Sequence, residues 1–251
     1  MRGIFERLFL VTGAARGIGE AIARRLLQEG GRVIICDINE EGQSTADSLK
    51  NSGGEVYFRQ LDVTEHSQVT RLAETVLRDF GPVHGLVNNA GIAITHTAFD
   101  CPDEVWRKIL NINLDGVFYC CREFGKQMRA HGGAVVNISS IAGLKVVRPE
   151  THVAYGVTKA AVAHMAALLG VEWAPYGIRV NAVAPGYTET SILAGMKQSN
   201  QDVVSTWMND TPIKRMIQPS EIASVVTFLL SDDSSSITGE LIAADGGYSK
   251  W

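Results

Sequence analysis

Cysteine is scarce in this chain, four residues in 251, and no two of them form a C-x-x-C pair. Cys36, Cys101, Cys120 and Cys121 stand in apolar or helical contexts, so reduced packing cysteines are expected rather than a metal site or a disulfide framework. An excess of cationic residues is lacking as well. The 23 Lys and Arg are outnumbered by 27 Asp and Glu, the formal charge is −4, and the basic residues are scattered. That excludes a nucleic-acid surface. No apolar run reaches the length of a bilayer span: the most apolar stretch, 160–171, is interrupted by His164. The first strand begins within about ten residues of the start, which leaves no room for a signal peptide. There are only seven prolines, and no Pro/Gly/Ser linker, repeat or low-complexity tract at which to divide the chain. These absences predict one domain over 1–251 in the reducing cytoplasm, with no membrane, nucleic acid or metal to bind.

What is present is a core-forming composition, 45% hydrophobic and 20% charged, arranged in a regular alternation. Short apolar runs that read as buried strands fall at 8–12, 32–36, 55–61, 85–88, 134–139, 179–183 and 241–244. Amphipathic stretches at 17–29, 40–52, 67–80, 103–129, 154–174 and 219–230 read as helices. Continuous apolar strands alternating with helices predict an α/β fold, a doubly wound, seven-stranded parallel sheet with helices on both faces. One segment, 187–218, breaks the rhythm with a long stretch rich in Ser, Met, Asn and Thr after a strand. Such an excursion at the C-terminal end of a strand is where a lid over a ligand sits.

The first strand runs directly into Thr12-Gly13-Ala14-Ala15-Arg16-Gly17-Ile18-Gly19, which opens a helix. Glycines there let backbone approach a pyrophosphate, and the helix N-terminus supplies unpaired N–H groups and partial positive charge. The spacing is G-x-x-x-G-x-G rather than the commoner G-x-G-x-x-G. Asp37 ends the second strand, about 20 residues on, where a carboxylate accepts hydrogen bonds from an adenosine ribose and repels a 2′-phosphate. Arg16 pulls the other way by offering a cation to that phosphate. Direct contact with the 2′-hydroxyl favours Asp37, and so NAD over NADP.

Further on come Asp62-Val63 after the third strand, Asn88-Asn89-Ala90-Gly91 after the fourth, Asn111-Ile112-Asn113-Leu114, and Ser139-Ser140 after the fifth. Tyr155-Gly156-Val157-Thr158-Lys159 opens the next long helix, followed by Pro185-Gly186-Tyr187-Thr188 and Asp245-Gly246-Gly247. In this order the chain resembles the short-chain dehydrogenase/reductase family over essentially its whole length. Tyr155 and Lys159 lie four apart and share a helix face. A free phenol titrates near 10, and a nearby ammonium together with a cationic nicotinamide ring is expected to lower that value. The resemblance implies that Tyr155 takes the alcohol proton while hydride leaves the same carbon, and that Ser140, with Ser139 the weaker match, steadies the substrate oxygen. It implies further that Asn113, with Asn111 as runner-up, holds a water beside the lysine, that Lys159 binds the nicotinamide ribose, and that the Thr188 hydroxyl meets the carboxamide.

Val147-Arg148-Pro149-Glu150, Thr206-Trp207, Thr211-Pro212-Ile213 and Gly246-Gly247-Tyr248 ending in Trp251 resemble the galactitol-type sugar-alcohol dehydrogenases within the family. A polyol pocket needs several hydrogen-bond partners, and His96, Glu150, His152 and Tyr187 are placed in sequence to supply them. Some such relatives carry magnesium near the chain end, but no ligand cluster in this sequence assigns a metal. The helix opening at Tyr155 is apolar nearly all round, which implies burial of a second face in a homo-oligomer, the family's tetramer. Two rival readings are an NADPH-dependent 3-oxoacyl thioester reductase and a non-catalytic dinucleotide-binding protein.

Overall fold

The computed structural model describes residues 1–190 and 201–250; the expected lid positions 191–200 and the terminal Trp251 lie outside the described residues. Seven parallel strands form one sheet in the order β3-β2-β1-β4-β5-β6-β7. They are β1 (Leu8–Thr12), β2 (Arg32–Asp37), β3 (Glu55–Gln60), β4 (Gly85–Asn88), β5 (Gly133–Ile138), β6 (Ile178–Pro185) and β7 (Leu241–Ala244). Helices α1 (Gly17–Gln28), α2 (Glu41–Asn51), α3 (His66–Phe80), α4 (Asp103–Leu110), α5 (Gly116–Met128), α6 (Val153–Glu172), α7 (Gln201–Asp210) and α8 (Pro219–Leu230) connect or cover them.

Every residue of β1 and of β4 is buried, as strands covered on both faces require. Alternation along β1 sends Leu8 and Leu10 into one core and Phe9 and Val11 into the other. Val69, Phe124 and Val162, from α3, α5 and α6, fill the first core. Ile22, Ala46 and Val226, from α1, α2 and α8, fill the second. The winding reverses between β1 and β4, so their carboxyl ends part and open the crevice in which open α/β sheets bind ligands.

Three departures from the sequence expectation matter for that crevice. The helix expected over 103–129 is divided into α4 and α5 by a π-helical turn, Asn111–Asp115, a device common at functional sites. β6 runs two residues beyond the expected 179–183 because Ala184 and Pro185 pair with Ala243 and Ala244 of β7, which carries Pro185-Gly186 up to the crevice. The expected helix over 154–174 ends at Glu172; a short 3₁₀ turn over Ala174–Tyr176 follows, with left-handed Gly177 after it.

Helix α6, read from sequence as unable to span a bilayer, is by length and composition long and apolar enough to do so, with mean hydropathy 1.3. In the fold it covers the sheet, with Val162, Ala166 and Leu169 in the core. The 187–218 excursion is closed at its base by Glu189 N–H to Ile217 O at 2.8 Å and Ile217 N–H to Tyr187 O at 2.9 Å. Within it stands α7, which the Ser/Met/Asn/Thr-rich composition did not announce.

Candidate active site

The turn between β1 and α1 requires glycine at two positions for different reasons. Gly13 has φ of 62°, and a Cβ there would meet Ala90 Cα at 2.7 Å. Gly19 has an ordinary φ, but its Cβ would fall 2.4 Å from Gly13 O, so the helix could not close on the turn. No side chain caps the N-terminus of α1; its first N–H groups therefore remain available to an anion. They face a cavity of about 580 Å³ whose wall includes Gly13, Arg16, Gly17 and Ile18. Gly19 is not on that wall; it acts from behind, through packing.

Asp37 stands on the same wall, oriented by two backbone donors: Ala15 N–H to Oδ2 and Asn39 N–H to Oδ1, both at 3.0 Å. Each carboxylate oxygen keeps acceptor capacity for a ribose hydroxyl. Arg16 is exposed and forms no ion pair with Asp37. Asp62 and Val63 also line the cavity; Asp62 Oδ1 accepts from the amide and hydroxyl of Thr64 at 2.9 and 2.7 Å. Asn89, Ala90 and Gly91 form the opposite lip. The Asn89 amide donates to Thr12 O and Gly13 O at 3.0 and 2.7 Å, tying the β4 exit to the glycine turn.

At the far end of the cavity lie Ser140, Tyr155 and Lys159. Sequence left two serines open, and their partners separate them. Ser139 spends its hydroxyl on Lys159 O at 2.7 Å, whereas the Ser140 hydroxyl accepts from Ala142 N–H at 3.1 Å and pulls the Tyr155 phenol downward in pKa. The asparagines separate likewise: Asn111 is exposed, and Asn113 is fully buried. In Asn113, Oδ1 accepts from Ile92 N–H and Nδ2 donates to Ile92 O, both at 2.9 Å, and Nδ2 also donates to the Thr158 hydroxyl at 3.3 Å.

The Lys159 ammonium donates to Ile138 O at 2.7 Å and lies 5.7 Å from the centroid of the Tyr155 ring. Burial raises the phenol above its ordinary value of 10.0, and the Ser140 hydrogen bond only offsets part of this. Burial likewise pushes Lys159 down to about 8. In the chain's own atoms burial is the first influence on both groups.

Pro185, Gly186 and Thr188 line the cavity, but the Thr188 hydroxyl donates to Gly186 O at 2.9 Å, so it is turned to its own loop rather than to a ligand. Thr190, two residues on and not singled out by sequence, lines the cavity; its methyl lies 3.6 Å from the Cβ position of Gly17. The signal available for it was the spacing Thr188-Glu189-Thr190, since residues two apart on an extended segment lie on the same side.

The four residues expected to meet the substrate are not brought onto one wall, and none of them lines the dinucleotide cavity. His96 and His152 are neighbours through a parallel bridge, and the His152 ring stands edge-on to Tyr155 at 5.2 Å between centroids. Burial holds His152 below its ordinary value. Glu150 and Tyr187 belong elsewhere, in a cluster with Trp207: Glu150 Oε1 accepts from Trp207 Nε1–H at 2.6 Å, and Oε2 from the Tyr187 hydroxyl at 3.3 Å. Among the described residues, no group of three or more His, Cys, Asp or Glu could hold a metal.

The two ends of the cavity suit different halves of one ligand, a ribose-reading carboxylate at one and proton-handling groups at the other. Such a molecule is an oxidoreductase that works with a nicotinamide dinucleotide. The chain belongs to the short-chain dehydrogenase/reductase family, and a family model described as enoyl-(acyl carrier protein) reductase matches residues 13–249. It is 40% identical over 245 residues to galactitol 2-dehydrogenase of Rhizobium johnstonii, covering 96% of this chain and 95% of that protein. It is 35% identical to NAD-dependent glycerol dehydrogenase of Listeria innocua (98% and 94% covered). The 3-oxoacyl-[acyl-carrier-protein] reductase FabG of Chlamydia trachomatis is also 35% identical (97% and 98%). Among solved structures, gox2181 superposes with a TM-score of 0.96 at 39% identity, covering 98% of this chain and 97% of that one.

Proposed function

We propose that this chain is an NAD-dependent dehydrogenase that interconverts a secondary alcohol, a sugar alcohol or related polyol, and its ketone. The observation that carries the reading is the Asp37 carboxylate held on the same cavity wall that ends in Ser140, Tyr155 and Lys159. The residues fit the dinucleotide: Asp37 for the adenosine ribose, Asp62 and Val63 beside the adenine, and the uncapped start of α1 with Gly13, Gly17 and Ile18 for the pyrophosphate. Lys159 suits the second ribose, and the Asn89–Gly91 and Pro185–Thr188 turns suit the nicotinamide. When bound, the nicotinamide supplies an acceptor for the hydride from the carbinol carbon and a positive charge near Tyr155.

The remaining steps belong to side chains. Ser140 donates a hydrogen bond to the substrate oxygen, Tyr155 as phenolate removes its proton, and the ketone forms as the hydride departs. In the reverse direction the substrate is the ketone, and Tyr155 as the neutral phenol protonates its oxygen as hydride is added to its carbon. Asn113 has committed its amide to Ile92 and Thr158, so its backbone carbonyl, within a π turn where the regular helix pattern is broken, is the group that would hold a water for Lys159. The 187–218 excursion is read as the cover of the alcohol site, and 1–251 as one catalytic unit in the cytoplasm.

A spectrophotometric panel of polyols and simple secondary alcohols, run with NAD and with NADP near pH 9, tests the proposal. Turnover of at least one polyol with NAD preferred is expected, and Asp37→Ser should shrink that preference by about tenfold or more, the worth of one charged contact. The FabG relative favours a second reading, a 3-oxoacyl thioester reductase. NADPH-driven thioester reduction with no polyol turnover would select it.

Helix α6 presents an outward stripe of Val153, Val157, Ala160, His164, Leu168 and Val171, with Leu168 59% and Val171 75% exposed. A mostly apolar stripe repeating every three or four residues is the face of a helix–helix contact, and it supports assembly as a homotetramer. Sedimentation should give about four times the monomer mass, and Leu168→Glu should reduce it. A monomeric wild type would refute the assembly.

A further inference from the structure

Glu150 is better placed to hold the protein together than to touch a substrate. It lies in the loop between Ser140 and α6, two residues before His152, whose ring meets Tyr155. Its two carboxylate oxygens accept from two other parts of the chain, Trp207 of α7 and Tyr187 at the exit of β6. The Trp207 indole is 1% exposed and stacks on the Tyr187 ring at 4.5 Å with 16° between planes. Nearby, Arg148 grips Asp210 at the end of α7 through two bonds of 2.9 and 3.1 Å. Trp207 and Asp210 are three apart and so share a face of α7, and that face is held at both positions by one short loop segment.

We infer that Glu150 is a positioning residue that latches α7 and the Pro185–Thr188 turn to the loop delivering Tyr155, so that the alcohol-binding side of the site keeps its shape. This rests on the reading of the chain as an alcohol dehydrogenase. A carboxylate bonded to donors from two segments is a stronger tie than a neutral acceptor. Its loss leaves the indole N–H of a buried tryptophan without a partner, the costly outcome for a buried donor. The glycine turn and Asp37 stand at the adenosine end of the cavity, away from the cluster, so the latch acts on the alcohol side and leaves the adenosine half of the dinucleotide alone.

The test uses the full chain and the variants Glu150→Ala, Glu150→Gln, Trp207→Phe and the double Glu150→Ala/Trp207→Phe. The latch predicts that Glu150→Ala and Trp207→Phe each raise KM for the alcohol about tenfold with the affinity for ADP-ribose, the part of the dinucleotide without the nicotinamide, unchanged, and that the double variant is no worse than either. Glu150→Gln, whose amide oxygen still accepts from Trp207, should recover most of the loss. Amide hydrogen exchange over 201–210 should quicken in Glu150→Ala and Trp207→Phe, and this readout needs no turnover. It tests the latch even if no alcohol is oxidised, the result that would fell the functional reading instead. A raised KM in Glu150→Ala with Trp207→Phe unchanged would make Glu150 a substrate contact and overturn the inference, as would unaltered exchange in 201–210.

Discussion

Replacing Tyr155 by Phe is expected to lower kcat for alcohol oxidation by about 1,000-fold, within the usual range for loss of a general acid–base group. The affinity for NAD should stay within about twofold. The substitution removes one hydroxyl and keeps the ring that faces His152, so folding should be intact, and a circular dichroism melt serves as the control. The pH profile carries more information. Burial raises the phenol above 10.0 and the Ser140 hydrogen bond offsets only part of that, so oxidation, which needs the phenolate, should climb toward alkaline pH. Reduction needs the neutral phenol and should lack that rising limb. The rising limb should vanish in Tyr155→Phe; a Phe variant that turns over as fast as the wild type removes Tyr155 from the chemistry and revives the non-catalytic dinucleotide-binding reading.

Lys159→Met is expected to abolish most activity, by about 100-fold or more, while making the protein more stable at neutral pH. Lys159 is 4% exposed, and burial pushes its ammonium from 10.5 to about 8. The sign follows from proton binding: between those values the unfolded chain holds a proton that the folded chain has lost, so stability rises with pH across the window. Below about 8 the folded state carries the full cost of the buried charge, about 3 kcal/mol by the conversion of pKa to free energy. Methionine removes that cost but leaves Ile138 O without its donor, a penalty of about 1–2 kcal/mol. A net gain of about 1–2 kcal/mol at pH 7 is expected from denaturant unfolding. Its clearest mark is pH dependence: the advantage of the variant over the wild type should shrink by about 2 kcal/mol between pH 7 and pH 10, as the wild-type lysine discharges. A difference that does not change with pH would show that the ammonium is not being desolvated.

The fold was legible because its signals are local and redundant. A strand covered on both faces must be apolar throughout, and the 85–88 run met that demand in full as β4. A helix that packs a phosphate-binding turn must carry glycine where backbone meets backbone, as Gly13 and Gly19 do. The juxtaposition of the two proposed catalytic side chains was legible for a related reason, since the four-residue step from Tyr155 to Lys159 lies within one helix. What was not legible involves contacts between distant segments. Nothing local in Ser139-Ser140 says which hydroxyl is consumed by Lys159 O, and nothing in Asn111-Ile112-Asn113 reveals a π turn whose buried amide clamps Ile92. The Thr188 hydroxyl turned inward and Thr190 turned toward the cavity for the same reason, because the β6–β7 pairing sets the exit of Pro185-Gly186. Glu150 and Tyr187 read in sequence as polar groups available to a polyol, but α7 brings Trp207 against both of them.

By itself, the order of residues determined the parallel sheet, the dinucleotide turn, the carboxylate at the end of β2 and the pairing of phenol with amine, since each follows from strand period, helix period or steric room along a few bonded neighbours. Tertiary structure alone decided which serine spends its hydroxyl on Lys159 O and which asparagine is buried, in which direction burial shifts Tyr155 and Lys159, and whether Glu150 meets a ligand or an indole. Those outcomes depend on desolvation and on partners brought from dozens of residues away, and neither is encoded in any short window of the chain.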